Sequence, residues 1–126
     1  MKKSILSIVL SVFIFSVSFA NPLSKEKVVV AYIGNSMHNH HDQNLSLYDE
    51  SMLSFITTDE IKANWEVAIK ENGAFVSIQE MKNESKGAFE QTSVLCKFEK
   101  KSIVFKFTFD KEGNLKSVVR SSAETL

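Results

Sequence analysis

The spacing of apolar residues changes at Gly73, and that change limits the architectures open to the chain. Before Gly73 the apolar positions recur every three or four residues, the repeat of a helix with one buried face. After Gly73 they alternate, the repeat of a strand lying in a half-buried sheet. Helices first and strands second predict an α+β domain, with three N-terminal helices packed on one face of a four-stranded antiparallel sheet.

The helical half divides into three. From Lys25 to His40, the positions Val29, Tyr32, Ile33, Ser36 and Met37 draw a stripe down one face. Gly34 within this stretch costs about 1 kcal/mol against alanine, so the helix needs tertiary support. Residues 39–44 are polar and read as a turn. A second helix is expected next, with Leu45, Tyr48, Met52, Phe55 and Ile56 on one side. The third carries the best local signals. Thr57 and Glu60 stand at capping-box spacing, where each side chain can satisfy an orphan backbone donor of the first turn. Ile61, Trp65, Ala68 and Ile69 share a face, Lys62, Glu66 and Lys70 point to solvent, and Asn72-Gly73 supplies the stop.

Four strands are expected at 75–82, 88–99, 102–110 and 115–120, separated by turn-forming segments short enough to make a meander. Ile103, Phe105, Phe107 and Phe109 alternate with Val104, Lys106, Thr108 and Asp110, one set facing a core and the other a wetter side. On the second strand Val94, Cys96 and Phe98 agree in phase but Phe89 does not, which predicts a bulge near Gln91.

The N-terminus has the order of an export signal. Lys2 and Lys3 precede an apolar run from Ile5 to Phe19, and Ser18-Phe19-Ala20 offers small residues where signal peptidase needs them. Residues 1–20 are therefore expected to be a signal peptide and residues 21–126 a single domain in the periplasm or the medium. The run is shorter than the roughly 20 residues of a membrane span, so no stable membrane anchor is expected after cleavage. The short, lysine-led leader fits a bacterial source. Without Lys2 and Lys3 the chain carries 13 basic against 15 acidic side chains, with no basic surplus to neutralise phosphates; nucleic acid is not an expected partner. The one cysteine, Cys96, cannot form an internal disulfide, so stability must come from apolar packing.

Three segments carry a resemblance: Tyr48-Asp49-Glu50-Ser51-Met52, Asp59 to Trp65, and Asn72-Gly73-Ala74-Phe75. Together with the strand from Val94 to Glu99 they resemble a domain-of-unknown-function family. That family belongs to the nuclear transport factor 2-like superfamily, beside ketosteroid isomerase-like and SnoaL-like proteins. Its members occur alone as small exported proteins or in front of α/β-hydrolase domains. The resemblance implies a curved, cone-like sheet around a long helix, with a pocket at the open end, and no known activity. Superfamily enzymes place an acid and a base inside the cone, whereas here no Asp or Glu falls on an interior stripe.

Three functional readings follow. The first is a non-enzymatic binding or interaction protein, needing no cofactor. It would hold a small apolar molecule among Tyr32, Tyr48, Trp65 and Phe105, or self-associate as a homodimer through the sheet around Val104 and Val118. The second is a cone-pocket enzyme, with Tyr32 or Tyr48 as proton donor and a histidine as base. The third is metal capture by His38, His41 and Asp42, which fall three and four apart on a continued helix, with His40 beside them. Against these stand blander roles: aromatic residues usually fill cores, and histidines at a helix C-terminus favour its dipole. Cys96 alternates with apolar neighbours and is expected to be inert. Ser93 and Ser102 lack a nucleophile-elbow context, and no glycine-rich phosphate loop exists.

Overall fold

The computed structural model describes residues 24–121 and 124–126. The expected signal peptide at residues 1–20 lies outside the described residues. Three helices, α1 (Lys25–Met37), α2 (His41–Leu45) and α3 (Thr58–Asn72), precede four strands, β1 (Phe75–Lys86), β2 (Phe89–Phe98), β3 (Ser102–Phe109) and β4 (Leu115–Ser121). The strands pair antiparallel in the order β1-β2-β3-β4. Among the described residues, no helix is long and apolar enough to cross a membrane.

Helix α1 begins where the Ser24 hydroxyl accepts from the Lys27 amide at 3.3 Å. It ends at Met37, three residues before the expected His40. The reason is local: Asn39 adopts φ 61°, a left-handed conformation that Asn tolerates better than most residues. The His40 amide then donates back to the Asn35 carbonyl at 2.7 Å.

The expected helix over 45–56 does not form. The segment 41–45 is helical instead, all but its last residue inside the stretch 39–44 read as a turn, and Glu50–Met52 makes a single 3₁₀ turn. Tertiary pairing overrides the local period. Tyr48 bridges to Leu115 in parallel, and the Asp49 amide donates to the Leu115 carbonyl at 2.7 Å. The Asp49 carboxylate then accepts from Lys116 Nζ at 2.6 Å and from the Ser51 hydroxyl. These bonds hold the chain extended at the point where a helix would have continued. Phe55, placed on the expected buried stripe, is 73% exposed as a result.

Helix α3 forms as the sequence predicts. Thr57 accepts from the Glu60 amide at 3.2 Å and its own amide donates to Glu60 Oε1 at 3.0 Å, the two halves of the capping box. At the other end the Gly73 amide closes on the Ile69 carbonyl at 2.7 Å. Gly73 sits at φ 84°, where a Cβ would come within 2.7 Å of Glu99 Oε1. Both backbone angle and space therefore require glycine.

The sheet turns one face to the helices. Register pairs Thr92 with Phe107, Val94 with Phe105 and Cys96 with Ile103, and all six are buried beneath α1 and α3 together with Phe98 and Phe109. Each buried aromatic contributes roughly 1.5–3 kcal/mol relative to exposure. Polar links fasten the rim: Lys25 pairs with Glu90 at 2.8 Å, and Asn83 donates to Glu26 at 2.5 Å.

The bulge expected near Gln91 is absent, since β2 pairs residue for residue with β3 from Glu90 to Lys97. The register shifts lie instead on β1, between Phe75 and Ser77 and between Ile78 and Glu80, and beside Thr108 and Phe109. Phe89 is exposed at the mouth of the β1–β2 hairpin, so its phase needs no reconciling. That hairpin turns later than expected, through Gly87 at φ 66°, which lets β1 continue to Lys86. The outer face is less wet than predicted, because Val104 is only 1% exposed and Leu95, its partner on β2, is buried too.

Candidate functional site

The four aromatic residues nominated as pocket lining are packed into the core. The rings of Tyr32 and Tyr48 meet edge-on with centroids 6.0 Å apart, and their hydroxyls share a hydrogen bond of 3.0 Å. Phe107 closes on Tyr32 at 5.3 Å. Burial, reinforced by the neighbouring Tyr48, pushes the Tyr32 phenol far above its ordinary range. Burial likewise raises Tyr48, against the hydrogen bond from Tyr32. Phenols held this way give up protons reluctantly. Trp65 stacks on Phe105 at 6.1 Å and contacts Phe75 and Phe98 at 5.9 and 5.7 Å. None of these rings lines either of the two described cavities.

Beside the tyrosine pair lies a buried polar tie that sequence reasoning missed. Asn44 Nδ2 donates to the Tyr32 carbonyl at 3.1 Å and to Ser36 Oγ at 3.0 Å, while its Oδ1 accepts from Asn35 Nδ2 at 3.0 Å. The Ser36 hydroxyl also donates to the Tyr32 carbonyl, at 2.9 Å. These bonds fix α2 against α1. In sequence Asn44 looked like one more polar turn residue, and no local pattern marks it as buried.

The histidines separate. His38 and His40 stay in solvent with ring centroids 6.2 Å apart, whereas His41 turns inward and is 3% exposed. The expected set of His38, His41 and Asp42 is thus divided between two environments. Among the described residues, no three His, Cys, Asp or Glu side chains are placed to hold one metal ion.

What His41 does join is a cleft of about 540 Å³ between the start of α2 and the first half of α3. Asn39, His41 and Asp42 line one side; Thr58, Asp59, Lys62 and Glu66 line the other. The three carboxylates are exposed at the rim, and His41, nearly buried, lies behind them with both ring nitrogens closed to solvent. Neither His41 ring nitrogen has a hydrogen-bond partner among the described residues. Burial dominates its titration and lowers its pKa below the ordinary histidine value. Glu66 and Asp42 pull the other way, while Lys62 and His40 add to the lowering. Its ring is therefore a neutral imidazole near pH 7, with one donor and one acceptor nitrogen. The α3 side of this cleft was legible only as a capped, charged helix face.

A smaller cavity of about 250 Å³ lies at the opposite end of α3, near Lys101, Ser102 and the Arg120–Glu71 ion pair of 3.1 Å. Cys96 sits inside the core, where burial pushes its thiol up to about 12; at ordinary pH it supplies no thiolate. Val104 and Val118, the nominated centre of a sheet–sheet contact, do not form an exposed pair. Val118 pairs with Phe107 and packs inward, while Val119, beside Lys106, is the exposed one.

A family model described as a protein of unknown function, DUF3887, matches residues 31–118, well over half of the chain. No curated protein matches. Among solved structures, the NMR structure of a protein from Ruminococcus gnavus is similar, with a TM-score of 0.56 and 16% identity; the match covers 77% of this chain and 90% of that one. At that identity the likeness concerns the fold alone.

Proposed function

The chain belongs to the DUF3887 family of proteins of unknown function, and on that premise we propose that it is a small exported binding protein whose working site is the His41 cleft. In this reading the fold is a cone-like member of the nuclear transport factor 2-like superfamily that has filled its interior with side chains. Binding has moved to the helical side of the domain. One observation carries it: a cleft lined by charged side chains of α2 and α3 lies directly over His41, an almost fully buried histidine whose ring nitrogens have no protein partner. A buried polar group without a partner costs about 1–3 kcal/mol, so its place beside the cleft calls for an explanation.

Catalysis is less well supported. The tyrosines bond to each other in the core, Cys96 is buried, and His41 makes no hydrogen bond to the Thr58 hydroxyl or any other group of the cleft that it could activate. An apolar ligand is also less well supported, because Trp65 and Phe105 occupy the space that it would need. Self-association through the sheet has little continuous apolar surface behind it, since the exposed Val76 is on edge strand β1, Phe89 at the hairpin, and Val119 on the opposite edge strand β4 beside Lys106.

The test is an amide chemical-shift titration of the isotope-labelled protein against small polar solutes of positive, neutral and negative charge. Saturable shifts confined to Asn39, Asp42, Thr58 and Glu66 are expected for at least one class. Shifts clustered elsewhere, or none for any class, would refute the reading.

A further inference from the structure

We infer that the first turn of α2 is an acid-operated latch: a proton taken up by His41 unwinds residues 41–43, carries the imidazole into water, and leaves the rest of the fold in place. The inference rests on His41 and the helix that holds it, and does not depend on what the neighbouring cleft binds.

The ring starts in a place that accepts no charge. His41 is 3% exposed, and both its nitrogens are closed to solvent without a hydrogen-bond partner among the described residues. A neutral imidazole tolerates that position despite two unmade hydrogen bonds. An imidazolium has two N–H donors and a full charge, and a buried charge with neither acceptor nor solvent is far less tolerable than a stranded neutral group. Burial accordingly holds the His41 pKa below its ordinary value. The charged neighbours do not supply the missing acceptor. Asp42 from its own segment and Glu66 from α3 favour the proton, while His40 and Lys62 oppose it from the same two sides. Both carboxylates are exposed. Helix α1 turns Asn35 and Ser36 toward α2, and neither titrates. A proton on His41 therefore has to be accommodated by moving the ring.

The backbone at the ring is the least tied part of α2. Upstream, the amides of His38, Asn39 and His40 close on α1 carbonyls, and Asn39 sits at φ 61°. Downstream, the buried Asn44 bonds to Tyr32, Ser36 and Asn35. Between these anchors the helix begins at His40 with no side-chain cap. Among the described residues, no hydrogen bond or ion pair links residues 41–43 to another element. The Gln43 amide donates to the His40 carbonyl at 3.0 Å, inside the turn itself. Unwinding the turn breaks few bonds, whereas swinging the ring out alone would leave a void between α2 and α3, which packed interiors resist. Asn39, His41 and Asp42 form one wall of the cleft, so that wall moves with the turn.

The sign of the pH dependence follows. In water the imidazole regains a pKa of about 6.5, so protons bind the unwound form first. The unwound fraction grows as pH falls below that value, by up to about tenfold per unit, or about thirtyfold between roughly pH 6.5 and 5.

The test is hydrogen exchange by NMR on the isotope-labelled protein from about pH 7.5 to 5, with the His41 ring nitrogens followed in parallel. Protection of the α2 amides from Gln43 to Leu45 is expected to fall by up to about thirtyfold as the ring takes up its proton. Low urea should leave this exchange almost unchanged while it speeds exchange at Val94 and Phe107 in the core, because a local opening exposes little new surface. In His41→Leu the α2 amides should lose their pH dependence; if that variant does not fold, the ring and exchange measurements on the unaltered protein decide. The inference is overturned by α2 protection that stays flat with pH, by an imidazolium signal with α2 protection intact, or by α2 and core amides sharing one urea dependence. A pH dependence that survives in His41→Leu overturns it too, since another group then drives the opening.

Discussion

Replacing Asn44 by alanine tests whether the polar tie between α1 and α2 holds the helical layer in place. Asn44 is 0% exposed and makes three side-chain hydrogen bonds, two donated and one accepted. A typical intramolecular hydrogen bond is worth about 1 kcal/mol net, and stranding a buried partner costs more. Of the partners left behind, the Tyr32 carbonyl still accepts from Ser36, which softens one loss. Asn35 is half-buried and can turn its amide toward water. The expected cost of Asn44→Ala is therefore about 3 kcal/mol, roughly one per bond with little further penalty. For a domain of this size that lowers Tm by roughly 12–24 °C. Asn35→Ala removes only the third bond but leaves the buried Asn44 Oδ1 without its donor, and should cost about 1–2 kcal/mol. Urea titrations of the single and double variants give the coupling between the two residues, expected at about 0.5–1 kcal/mol because they share one bond. A loss below about 1 kcal/mol for Asn44→Ala, or equal losses for both single variants, would refute the claim that this asparagine fastens the two helices.

Two other perturbations follow from the same structure. Burial lowers the His41 pKa, so the unfolded chain takes up this proton first. Stability from this group is complete above its unfolded value near 6.5 and falls as pH drops below it, by at most about 1.4 kcal/mol per pH unit, levelling once the folded value is passed. Urea midpoints measured across that range for the protein and for His41→Leu should diverge on acidification, and parallel curves would rule out the linkage. Gly73→Ala should cost about 2 kcal/mol, combining a residue at φ 84° with a Cβ 2.7 Å from Glu99 Oε1 and 2.8 Å from Glu99 Cβ; thermal melts check it, and a smaller loss for Gly73→Ala in a Glu99→Gly background than in the unaltered protein would separate the contact from the backbone strain.

Where the local signals were dense, the sequence was readable. Thr57, Glu60 and Gly73 fix both ends of α3 with contacts made inside a few residues, and the alternation of Ile103, Phe105, Phe107 and Phe109 names the buried face of β3. Errors fell where a distant partner decided. Leu115 draws Tyr48 and Asp49 into extended pairing, and no residue near 48 announces a strand that begins only at Leu115. Candidate site residues fared unevenly for the same reason. His41 and Asp42 do line the cleft, but His38 does not join them, because a left-handed Asn39 breaks the helix on which the three would have aligned. Lys62 and Glu66 were correctly seen as exposed, yet exposure on a helix says nothing about what faces it.

The sequence by itself determined the order of elements, the boundary near Gly73 and the apolar faces that had to meet, because side-chain period and capping are properties of neighbouring residues. Tertiary structure decided which polar groups were buried without partners, where the chain between α1 and α3 bent, and whether the aromatic residues lined a space or filled it. Those outcomes depend on distances between segments far apart along the chain, and packing, unlike periodicity, is settled only when both sides of a contact are in place.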